Sequence, residues 1–120
     1  MSTTTQLPIE SMGEFAARLP QAGTVDVTIE LIGDDIGDQI QVERLPWHAL
    51  IYDDREKILE LSVGARGRSR EIVFRHEIHE PVTVWFEEDA GTVRSMSIEH
   101  ADGTHTIVRF LEHRAIEAGA

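Results

Sequence analysis

Six histidines, His48, His76, His79, His100, His105 and His113, are the side chains best suited to chemistry near neutral pH. Two of them flank Asp102-Gly103, a dipeptide that favours a two-residue hairpin turn. With that turn, Ala101 opposes Thr104 and His100 opposes His105, and opposed residues hold their Cβ atoms about 5 Å apart on one face. Two imidazoles so placed can ligate a metal ion, and His76 would supply the third ligand of a catalytic-type site. The plainer expectation is a histidine pair on an exposed hairpin tip, because a metal needs three or four convergent ligands and only two are placed. His76 and His79 would share a face on a helix. The flanking β pattern and Pro81 favour extended chain, in which they point to opposite sides. The run His76-Glu77-Ile78-His79-Glu80 also lacks the histidine spacing of the HExxH zinc signature.

Carboxylates cluster at Asp34, Asp35 and Asp38, at Asp53, Asp54 and Glu56, and at Glu87, Glu88 and Asp89. A carboxylate pair can do general acid–base work when one member is desolvated, but turns keep these three clusters wetted and ionised. A calcium loop starting at Asp34 fails, because Leu45 stands where the bidentate Glu is required. Arg66, Arg68, Arg70 and Arg75 form the one basic patch. Alternating arginines in a glycine-containing loop can fork onto an anion or an acidic partner strand, although a solvated loop is the simpler expectation. No Gly-x-Ser-x-Gly elbow, phosphate loop or dinucleotide turn occurs. Trp47 and Trp85 read as core or interface anchors.

The elements that must position these groups follow from periodicity. Pro8-Ile9-Glu10 opens a short helical pattern, with Ser11 a candidate cap and Glu14 three residues later; its apolar face is Met12, Phe15, Ala16 and Leu19, and it stops at Pro20. From Val25 the period becomes two: Val25, Val27, Ile29 and Leu31 alternate with polar residues, as in a half-buried strand. Further strands are expected over Ile40–Arg44, with Pro46 ending it or marking an edge, and over Ala49–Tyr52, Ile58–Val63, Ile72–Phe74 and Val82–Phe86. A final hairpin spans Ser95–Ala101 and Thr104–Leu111. The expected class is α+β, mainly β: a short N-terminal helix, then a meandering antiparallel sheet of about six to eight strands, left open or curled into a partial barrel. Residues 1–7 read as a disordered tail, 8–114 as a single globular domain and 115–120 as a frayed C-terminus.

Composition narrows the functional classes. A chain of 120 residues with 41% hydrophobic residues can bury a core without a structural metal. No cysteine is present, which excludes disulfides, thiolate metal sites and cysteine nucleophiles and suits a reducing compartment. With a formal charge of −11 the surface repels phosphate backbones and anionic lipid, so neither nucleic acid nor membrane is an expected partner. No basic stretch leads into an apolar run at the start, and no run approaches a membrane-spanning length, so the cytoplasm is the expected compartment. Of the eleven basic residues only Lys57 is lysine, and asparagine is absent; both suggest a GC-rich bacterial genome.

Several short motifs, in order and spacing, resemble a family of short bacterial proteins catalogued only as a domain of unknown function. They are Gly37-Asp38-Gln39-Ile40, Leu45-Pro46, Tyr52-Asp53, His76-x-Ile78-x-x-Pro81, Asp102-Gly103-Thr104 and Ile107-Val108-Arg109. The tract before Pro8, the arginine loop and His48 fall outside that pattern. The resemblance carries over no established activity, and no cofactor is expected, but it singles out Asp38, Gln39, Tyr52, Asp53, His76 and Arg109 as candidate binding residues. The expected function is a small non-enzymatic interaction or binding module, with a protein partner or a second copy meeting a sheet edge or a tryptophan-bearing face. The alternative is a small metal- or ligand-dependent enzyme or sensor built on His76, His100 and His105.

Overall fold

A computed structural model describes residues 2–35, 37–65 and 71–112. Eight strands account for most of them: β1 (Ser2–Leu7), β2 (Val25–Gly33), β3 (Gly37–Asp53), β4 (Ile58–Gly64), β5 (Ile72–His79), β6 (Pro81–Asp89), β7 (Thr92–His100) and β8 (His105–Glu112). They form one antiparallel sheet in the order β1-β6-β7-β8-β2-β3-β4-β5. Two meanders, β2 to β5 and β6 to β8, are joined where β2 pairs with β8. The mainly β expectation holds. The sheet is curled but does not close into a barrel.

The curl can be derived from one residue. β5 is an edge strand and β6 lies near the opposite edge, yet only Glu80 separates His79 from Pro81. Cα atoms two residues apart lie within about 7 Å, so the two ends of the sheet must be brought round to meet. Glu80 adopts φ +52°, and its amide donates to the Lys57 carbonyl at 2.7 Å. The folding line is β3. Its first half pairs with β2 and its second half with β4, and Arg44 at φ +50° and a bulge between Trp47 and Ala49 mark the changeover. Pro46, expected to end a strand or mark an edge, sits within this changeover opposite Asp26, so two expected strands are one.

The inward face carries the period-two apolar residues: Val27 and Ile29 of β2, Leu59, Leu61 and Val63 of β4, and Ile98 and Val108 of β7 and β8 are all fully buried. The helical stretch between β1 and β2 consists of 3-10 turns at Ile9–Ser11 and Ala16–Arg18 around α1 (Met12–Phe15). Met12, Phe15 and Leu19 bury their side chains as expected, and Phe15 meets Phe86 with ring centroids 4.7 Å apart. Arg18 lies over both rings and reaches Glu88 at 2.6 Å. Ser11 makes no side-chain capping bond.

The N-terminal tract was expected to be a disordered tail, and here the structure corrects the sequence. Ser2–Leu7 is an edge strand paired with β6 over six residues, from Ser2↔Asp89 to Leu7↔Val84. Its three consecutive threonines supply the β-branched character that suits extended chain. β5 also outruns its expected end at Phe74 and continues to His79. The arginine loop at Arg66, Arg68 and Arg70, His113 and the expected frayed C-terminus lie outside the described residues.

Candidate functional site

The hairpin between β7 and β8 decides where the histidines go. Its turn holds three residues rather than two: the Gly103 amide donates to the His100 carbonyl at 3.0 Å, and the His100 amide donates to the Thr104 carbonyl at 2.8 Å. Gly103 takes φ +89°, the left-handed residue of a type I turn followed by a bulge. The register therefore slips by one: Glu99, not His100, opposes His105, and Ile98 opposes Thr106. Because side chains alternate across a strand, this slip moves His105 to the face away from His100. The proposed ligand set His76, His100 and His105 does not converge. Among the described residues no group of three or more His, Cys, Asp or Glu is placed to hold a metal ion.

His76 and His100 do meet, through a residue that sequence reasoning missed. Thr106, fully buried on the inward face of β8, lies 3.2 Å from His76 Nε2 and 2.7 Å from His100 Nε2. On its other side, His100 Nδ1 lies 2.9 Å from Thr104 Oγ1, which donates to Asp102 Oδ1 at 2.7 Å. Hydrogen counting fixes the direction of this chain. Each threonine hydroxyl has one hydrogen, and Thr104 gives its hydrogen to the carboxylate, so it must accept from His100 Nδ1–H. Neutral His100 then has a lone pair on Nε2, which accepts from the Thr106 hydroxyl, and Thr106 in turn accepts from His76 Nε2–H. Protons thus point one way, from His76 to Asp102. Among the described residues, His76 Nδ1 is the one ring nitrogen of the relay with no hydrogen-bond partner.

Electrostatics agree with neutral imidazoles. Burial lowers the pKa of His76, and the neighbouring His100 lowers it further. Burial also lowers that of His100, with Asp102 pulling the other way and His105 adding a smaller lowering. Asp102 is held below the usual carboxylate range by the side-chain and backbone hydrogen bonds from Thr104. The relay ties β5 to β7 and β8 across the curled sheet, and Thr106 is the residue through which the two sides join.

The other candidate residues are dispersed. Asp38 and Gln39 are exposed at the start of β3. Tyr52 is half-buried against the core, and Asp53 accepts the amides of Arg55 and Glu56 at 3.0 and 3.1 Å, which is turn chemistry. Arg109 lies on the outer face, ion-paired with Glu30. His48 faces an open cleft of about 270 Å³ lined by Leu19, Pro20, Trp47 and Leu50 among others. Its Nδ1 is 3.0 Å from Ser62 Oγ, which donates to the Ala49 carbonyl at 3.3 Å. The imidazole must therefore be the donor in that pair, the reverse of the arrangement that activates a serine.

Two surface features remain. On the outer face the register lines up Gln6, Trp85, Ser97, Ile107, Glu30 and Ile40 across six strands, with Trp85 and Ile40 exposed. At one edge, every residue of Ser2–Gln6 in β1 is exposed. The ionisable residues Arg75, Glu77 and His79 are exposed on the other edge strand, β5. The period-two pattern did not reveal β1, because its residues alternate polar with polar. The legible signal was its run of β-branched threonines.

Fold and site together define an open, curled antiparallel β domain with a short helical plug and a polar relay set into its core. The chain belongs to the DUF5335 family, a family of unknown function whose model matches residues 3–118. That match spans residues 3–7, His48 and the arginine loop, all three of which were expected to fall outside the family pattern. The chain is also similar to an uncharacterized protein of Aquifex aeolicus (strain VF5), 31% identical over 85 residues, which cover 71% of this chain and 70% of that one. No solved structure matches. Among the described residues no helix is long and apolar enough to cross a membrane.

Proposed function

We propose that this chain is a non-enzymatic interaction module whose contact element is the β1 edge of its sheet. The observation that carries this reading is the five-residue run Ser2–Gln6, exposed along its length at the sheet margin. Such a margin presents backbone amides and carbonyls ready to pair with another extended chain, and proteins usually blunt it with charge, proline or a bulge. β1 has none of these, and its ladder with β6 runs through six consecutive pairs. The relay favours the same reading, since its hydroxyls and imidazole nitrogens are largely spent on one another. Titrating short extended peptides of differing charge against the labelled protein tests the proposal. Amide shifts confined to residues 2–7 and their β6 partners are expected. Absence of such shifts with every peptide, together with no self-association, removes the proposal.

A second reading rests on the lone pair left at His76 Nδ1: a small metal- or ligand-dependent sensor or enzyme centred on His76 and His100. It requires Zn²⁺ in excess to raise the melting temperature by linkage, and His100→Ala to erase that rise. An unchanged melting temperature eliminates it.

A further inference from the structure

Resting on the edge-pairing reading, we infer that the partner of β1 is the β1 strand of a second copy of this chain, paired antiparallel about Thr4. The two-fold axis sets Thr4 against Thr4, Thr3 against Thr5 and Ser2 against Gln6. Cross-strand threonine pairs of this kind are favourable in antiparallel sheets. The contact is isologous, as closed dimers require.

Charge selects this partner arrangement. Two copies of a chain with formal charge −11 repel one another unless they meet through a charge-poor surface. Among the eight strands of the described residues, β1 alone contains no ionisable side chain. The nearest acidic run, Glu87, Glu88 and Asp89, lies one strand inward, opposite Thr4, Thr3 and Ser2. Across the joined sheet the two β6 strands stand three strand spacings apart, about 14 Å. That exceeds the screening length of about 8 Å at physiological ionic strength, so the acidic ladders oppose the join only weakly, and less still as salt rises. The other edge lacks these properties, because β5 carries Arg75, Glu77 and His79 along its exposed side.

This geometry gives a salt signature. A basic partner strand would be drawn to the acidic ladder and lost as salt rises. Self-pairing must overcome net repulsion and therefore strengthens with salt. Sedimentation velocity on the full chain at about 0.1 M and about 1 M NaCl, where screening lengths are roughly 10 and 3 Å, separates the two. The expected result is a monomer–dimer equilibrium that moves toward dimer at the higher salt. Thr4→Lys should weaken it by about tenfold or more, since it sets like charges face to face. Thr3→Lys, on the alternate face of the strand and opposed by Thr5 rather than by a second lysine, should weaken it less. Melting temperatures close to wild type at low concentration establish that both variants fold. A dimer indifferent to both substitutions overturns the inference, and so does a monomer at every salt and concentration. A lysine–threonine peptide then tells the two failures apart. If it shifts the β1 amides of a strictly monomeric chain, the edge reading stands and self-pairing falls; if it shifts nothing, both fall.

Discussion

Thr106 shows how much one hydroxyl decides. It is fully buried, and it both accepts from His76 and donates to His100, so each imidazole is satisfied only while the other is neutral in the right tautomer. Replacing it by the near-isosteric valine strands a donor on one ring and an acceptor on the other. Thr106→Val is expected to cost about 1–3 kcal/mol in urea unfolding, while Thr106→Ser keeps most of the stability. The pH dependence has a definite sign. Both histidines have lowered pKa values in the folded chain, so below about pH 6.5 the unfolded chain binds more protons than the folded one. Their stabilisation is therefore present in full above that pH and drains away as pH falls beneath it. Unfolding curves between about pH 5 and 8 should show this slope, and His100→Gln should flatten it. The sequence pointed to His76 and to His100, but not to Thr104 and Thr106. Which hydroxyl lies beside which ring depends on the register of a hairpin, and a single residue of slip exchanges one face for the other.

At the scale of elements, a left-handed residue accounts for the slipped register of the last hairpin. Asp102-Gly103 was legible as a turn, but not its length: Gly103 at φ +89° makes it a three-residue loop and so sends His105 to the outer face. No atom lies within 4 Å of a Cβ added at Gly103, so Gly103→Ala is a test of backbone strain alone. It should lower stability by about 1–2 kcal/mol, read from the denaturation midpoint. Glu80 is the mirror case, a non-glycine residue held at φ +52° by the need to carry β5 into β6. Glu80→Gly should leave stability unchanged or raise it by up to about 1 kcal/mol, because relief of strain outweighs the added chain entropy. Glu80→Pro should be severely destabilising, since it fixes φ on the other side and removes the bond to Lys57. The helix, β2 and the apolar faces of β4 and β8 were readable because hydrophobic period maps directly onto burial. β1 was not, since an edge strand with a wetted face leaves no such imprint.

The curl of the whole sheet was the feature least accessible from sequence. Periodicity assigns faces to strands but says nothing of which strands adjoin when they are distant in the chain. The order that emerged, with two meanders joined along β2 and β8, pairs Val25 with Glu112 at the far end of the seam. Each meander is built from chain neighbours, whereas this seam closes a loop spanning most of the molecule. The entropy of that closure must be met before its contacts can reward it. Hairpin residues and seam residues should therefore separate in a chevron analysis. Ile98→Val, within the β6–β7–β8 meander, slows refolding, while Ile29→Val at the seam chiefly speeds unfolding. The join that gives the molecule its shape is then also its last-formed and first-opened line, the place where a stretched or heated chain comes apart into two half-proteins.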